Sequence, residues 1–125
     1  MIIKKLVVGS MFSMLLGSEM AAADWDDVYY CQMTNFLGIT VEGEKQNYTL
    51  EKFQFKLDQT KNAMVFGSKG YFKDSVIELG DNWLSLETWY ANDKYSITYF
   101  EEGKLLFTFN NSVGALAASA DCDKF

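Results

Sequence analysis

Lys52-Phe53-Gln54-Phe55-Lys56-Leu57-Asp58 is the stretch that decides the fold. Phe53, Phe55 and Leu57 fall on one side of an extended chain, and Gln54, Lys56 and Asp58 fall on the other. A period of two marks a strand with one face on a core and the other in water. The same alternation returns further along. Leu105, Phe107 and Phe109 share a face, and so do Leu84, Leu86 and Tyr90, opposite Ser85, Glu87 and Trp89. Residues 28–34, 36–41, 63–66, 71–79 and 95–100 read as further short strands. Between them stand Glu42-Gly43-Glu44, the polar run 58–62, Gly67-Ser68-Lys69-Gly70, Gly80-Asp81-Asn82, Asn92-Asp93 and Glu102-Gly103, all of turn composition.

Residues 113–122 are nearly all small: Gly114, Ala115, Ala117, Ala118, Ser119 and Ala120. Alanine favours helix, so a short C-terminal helix competes with a strand. A strand is preferred, because hairpin follows hairpin up to this point and small side chains leave room for bulky neighbours. About seven to nine short strands in this order predict an all-β antiparallel meander. Closure removes exposed edges, which makes a small up-and-down barrel the first expectation and a flattened sandwich the second.

The first residues have another purpose. Lys4 and Lys5 precede a short apolar run, LVVGSMFSMLL, and Ala21-Ala22-Ala23 follow it. Charge, short apolar segment and small residues at the cut are the order of an export signal of the bacterial kind. The expected division is a signal peptide over 1–23 and a single β domain over 24–125, released to the periplasm or the medium. The apolar run is too short for a membrane-spanning helix, which needs roughly 20 residues, and no Cys stands at the cut for a lipid anchor. Export brings Cys31 and Cys122 into an oxidising compartment, where an intramolecular disulfide closing the domain is the default over free thiols or an intermolecular bond.

Composition excludes more than it assigns. Removing Lys4, Lys5 and Glu19 leaves nine Lys against sixteen Asp and Glu, a net charge of −7. Such a surface, with no basic cluster, argues against nucleic acid and anionic lipid as partners and is compatible with a cationic one. The chain has no His, no Arg and no Pro. Ser-His-Asp and Cys-His nucleophiles and the common zinc sites are therefore out of reach, and no cofactor is expected. An enzyme would have to use carboxylates or Lys, and no spacing singles out a pair among Glu87, Glu101 and Glu102.

Two features merit attention as binding elements. Trp83 and Trp89 fall opposite Leu84 and Leu86, and Tyr29 and Phe100 also lie on the less regular faces of their strands. Outward aromatics form a patch for a sugar, a peptide or a partner protein, or else a second core layer. Asp24, Asp26 and Asp27 around Trp25 offer oxygens for Ca²⁺ but lack the glycine turn and distal Glu of a Ca²⁺ loop, so a frayed polar terminus is expected.

The stretch Val28-Tyr29-Tyr30-Cys31, with the second Cys near the end, resembles the opening of exported bacterial inhibitors of C-type lysozyme. Those are small barrels whose inhibitory loop carries a Ser-Gly-x-x-Tyr type motif. The corresponding stretch here is Gly67-Ser68-Lys69-Gly70-Tyr71. The resemblance implies that Ser68 and Lys69 enter the lysozyme cleft and that Tyr71 supports the loop. The pattern departs from the family's: no Gly follows Ser68, the spacing to Tyr71 is one residue short, and the Trp-x-x-Gly stretch is missing. The expectation from sequence is thus a small exported non-enzymatic binding or structural protein, monomeric or a small oligomer, for an unknown protein or small ligand. A lysozyme inhibitor acting through 67–71 is the alternative.

Overall fold

The computed structural model describes residues 23–80, 89–92 and 94–125. Residues 1–22 of the expected export segment, Trp83, Glu87 and the rest of the expected strand before Trp89 lie outside the described residues, as does Asp93.

Among the described residues all regular structure is strand. In chain order the strands are β1 Val28–Thr40, β2 Lys45–Asn47, β3 Lys52–Asp58, β4 Ala63–Phe66, β5 Val76–Glu78, β6 Trp89–Asn92, β7 Ser96–Glu101, β8 Lys104–Asn111 and β9 Gly114–Lys124. They form one antiparallel sheet in the order β5-β4-β3-β1-β9-β8-β7-β6, with β2 paired to the far part of β1. The outermost strands, β5 and β6, approach each other, so the sheet curls into a half-barrel rather than splitting into two layers. The first and last strands lie side by side at its centre. Cys31 faces Cys122 across that pairing, and the disulfide joins them over a sequence separation of 91 residues.

Each element follows from its residues. Phe53, Phe55 and Leu57 of β3 point inward, as their alternation requires. Glu102 and Gly103 both take positive φ, 52° and 75°. That is the two-residue turn whose twist suits a hairpin, and it joins β7 to β8. The Asn111 side-chain oxygen accepts the N–H groups of Val113 (2.9 Å) and Gly114 (3.3 Å), which closes the β8–β9 turn. The small-residue stretch is strand β9, with Ala118 and Ala120 buried among larger neighbours.

Two details of β1 depart from the expectation of separate strands over 28–34 and 36–41. The strand is continuous, with a bulge: Ser119 pairs with Asn35 and Ala120 with Met33, so Thr34 is extra. Tyr29, Cys31 and Met33 point inward before the bulge, and Phe36 and Gly38 after it. The switch of phase that reads as a strand break is the bulge re-aiming the chain toward the same core. Ser119 holds it: its hydroxyl lies 2.7 Å from Thr34 Oγ1 and accepts from Asn35 Nδ2 at 2.8 Å.

The core is largely aromatic. Tyr29 and Phe100, expected on outward faces, are each 1% exposed and pack edge to face at 4.7 Å, with Phe55 against both. Of the two readings of these rings, packing in the core is the one the structure shows. The acidic leader is not frayed either. Asp26 N–H donates to Leu57 O (2.6 Å), and Leu57 N–H donates to Asp27 O (3.0 Å). The Asp27 carboxylate accepts Asp24 N–H (2.9 Å) and Lys124 Nζ (3.3 Å), and Asp26 pairs with Lys56 at 3.8 Å. These carboxylates are committed to local backbone and lysines, which makes the leader a structural clasp.

Candidate functional rim

The segment from Gly67 to Ser75 leaves the sheet after β4 and returns to it at β5. Its base is closed by Phe66 N–H to Ser75 O (2.9 Å) and Asp74 N–H to Gly67 O (2.8 Å). Lys73 N–H to Gly70 O (3.1 Å) and Ser75 N–H to Phe72 O (2.9 Å) tighten its far half, and Gly67 N–H donates to Gln54 O of β3 (3.0 Å). Glu51 supplies a tie from outside the loop: its Oε1 accepts the Tyr71 N–H at 2.7 Å. Gly70 has φ +81°, a conformation that favours glycine, and a Cβ there would stand 2.7 Å from the same Oε1 and push the Glu51 carboxylate aside.

Phe72 fixes the loop to the core. It is 2% exposed and packs on Phe66, Phe53 and Phe107 with ring centres 4.8–4.9 Å apart. Tyr71 lies above it, against Phe36 (5.3 Å) and Phe107 (6.0 Å), with its outer side in solvent. Partial burial raises the Tyr71 phenol pKa above the usual tyrosine value, and nearby Tyr48 adds to the effect. Ser68 and Lys69 are exposed at the other end of the loop.

The loop therefore separates two depressions. At the mouth of the half-barrel, Tyr48, Tyr71, Phe109 and Leu116 line a hollow of about 210 Å³. On the outer side, Tyr30, Lys52, Phe53, Gln54, Gly67, Ser68 and Lys69 line a notch of about 290 Å³. Gly67 sits so close to Gln54 that a Cβ would meet the Gln54 Cγ at 2.8 Å, and this contact shapes the notch floor. Lys56, Lys104 and Lys124 are ion-paired, whereas neither Lys52 nor Lys69 is in an ion pair among the described residues. Away from the loop, Ala115 and Ala117 of β9 form the floor of a shallow apolar hollow of about 440 Å³, walled by Leu37, Ile39 and Ile97.

The structure thus gathers Ser68, Lys69 and Tyr71 on one anchored loop, and the Cys31–Cys122 staple stands next to it, with Cys31 paired to Phe53 of the notch. Trp83 lies outside the described residues, and of Trp89 only the backbone is placed, opposite Phe100. Sequence reading missed Glu51, Lys52, Gln54 and Tyr30 as members of the rim. Glu51 lies 20 residues before Tyr71 and carries no motif; only the fold brings it there. Among the described residues no three His, Cys, Asp or Glu side chains gather as a metal site, and no helix is long and apolar enough to cross a membrane. No family model matches the chain, and neither a curated protein nor a solved structure matches it.

Proposed function

We propose that the chain is an exported, non-enzymatic binding protein that recognises its partner through the rim built by residues 67–75. One observation carries this reading. The loop is fixed by backbone bonds, the Glu51 carboxylate and the buried Phe72 ring, yet it keeps Ser68 and Lys69 in solvent. A loop ordered before it meets its partner loses little entropy on binding, and this is the economy of pre-organised binding loops. The disulfide is consistent with an oxidising location. The test is a variant with Ser68 and Lys69 both replaced by Ala, used beside the wild type to capture partners from the host's exported fraction. A partner held equally well by both proteins would refute the rim as the binding surface.

A second reading, inhibition of C-type lysozyme, is favoured by the division of labour within the loop. Ser68 and Lys69 are presented at one end of the loop while Tyr71 packs on Phe36 at the other, and the acidic net charge of the chain would speed encounter with a basic enzyme. Turbidity clearing by a C-type lysozyme should slow in the presence of the wild type and recover with the double variant. Undiminished clearing at excess protein would eliminate this reading and leave the first intact.

A further inference from the structure

We infer that the notch beside the loop is a site for a small hydroxylated ring bearing a carboxylate, the chemistry of an acidic sugar. The inference rests on the loop being a fixed binding element. Two lysines from different elements, Lys52 of β3 and Lys69 of the loop, line one depression, and neither is neutralised by an ion pair among the described residues. What sets them apart from the other lysines without an ion pair among the described residues is that these two share one depression. Among the described residues no carboxylate lines the notch. Glu51, which precedes Lys52, turns its Oε1 to the Tyr71 N–H instead.

The remaining lining groups narrow the ligand. The Gln54 amide and the Ser68 hydroxyl both donate and accept, and so suit neutral hydroxyls beside an anionic group. Tyr30 is 47% exposed and offers a flat apolar wall for a ring face. At about 290 Å³ the notch lies at the small end of ligand pockets, a fit for one ring rather than a bare ion or a chain. The overall negative charge repels an anion at long range, but screening over about 8 Å at physiological salt leaves the two adjacent lysines in control.

The experiment is an NMR titration of the purified ¹⁵N-labelled protein with galacturonate, galactose and inorganic phosphate. Galacturonate should shift the amides of Gln54, Gly67, Ser68 and Lys69 saturably, galactose should not, and Lys52→Gln and Lys69→Gln should each weaken binding by about tenfold. Lys45→Gln, on β2 and outside the notch, should leave binding unchanged. These substitutions are at exposed positions, and the unshifted amides report whether the fold is intact. No saturable shift overturns the proposal, as do equal shifts with galactose or affinity unaltered in both lysine variants. Binding of phosphate without galacturonate overturns it too, because it reduces the notch to a general anion contact. Each of these results leaves recognition of a macromolecule by the loop open to its own test.

Discussion

The Glu51 carboxylate accepts the backbone N–H of Tyr71 at 2.7 Å, and this one contact ties the start of β3 to the tip of the rim. Glu51→Ala should loosen the loop with little effect on the sheet. Amide exchange at Tyr71 and Lys73 is expected to quicken by roughly tenfold, as loss of a charge-assisted hydrogen bond worth about 1.5 kcal/mol would give. Unchanged protection at Tyr71 would show that Phe72 and the backbone bonds fix the loop without Glu51.

The disulfide should dominate stability. Replacing Cys31 and Cys122 together by Ala releases a loop spanning 91 residues, and chain entropy sets the cost at roughly 4–5 kcal/mol as an upper figure. Urea unfolding of the double variant measures it. A loss below about 1 kcal/mol would mean that the β1–β9 ladder restrains the chain without the bond.

Small side chains on β9 are predicted to be obligatory at one position. Ala118 pairs with Phe36 on one side and Phe107 on the other and is 2% exposed. Ala118→Leu should cost about 1–3 kcal/mol by overpacking, whereas Ala115→Leu, on the exposed outer face, should be nearly neutral. Equal effects at both positions, read from thermal unfolding, would contradict the inward placement of Ala118.

Alkaline pH should destabilise the fold through its buried phenol. Burial raises the Tyr29 pKa above the usual 10.0, and the Asp27 charge raises it further. The folded state thus holds this proton more tightly than the unfolded chain does. The associated stability is fully present below about pH 10 and is lost as pH rises through the raised folded pKa. Tyr29→Phe should flatten this loss, so the difference in stability between wild type and variant should change between pH 8 and pH 11. A constant difference would rule out Tyr29 as a source of alkaline sensitivity.

Strand content was legible where one face is apolar without exception, as at Phe53, Phe55 and Leu57. It was illegible where chemistry and geometry disagree. On β7 the inward residues are Ser96, Thr98 and Phe100, while Ile97 faces out, so the pattern is inverted and Phe100 reads as an outward aromatic. Thr98 Oγ1 is buried without a hydrogen-bond partner among the described residues, a choice that hydrophobicity alone would not anticipate. The bulge at Thr34 hid the unity of β1 because one extra residue exchanges the faces. Turn chemistry at Glu102-Gly103 and the pairing of the two Cys were readable, since each depends on residue type. The rim was only half readable. Its exposed Ser68 and Lys69 sit in a loop that composition marks, but Gln54 and Tyr30 arrive there through the register of the strands and Glu51 through its bond to the Tyr71 N–H.

The pairing of β9 with β1 brings Lys124 opposite Tyr29, and Phe125 N–H donates to Val28 O at 2.8 Å. Entry and exit of the domain are therefore neighbours. Such a unit can be grafted into a surface loop of a host protein through short connectors, or have its ends fused and be reopened at the Gly43 turn, with every ladder kept. The paired strand ends also lie beside the binding notch, since Tyr30 both lines it and packs edge to face on Phe125 at 5.2 Å, so a graft through them would bring the host's surface up to the notch.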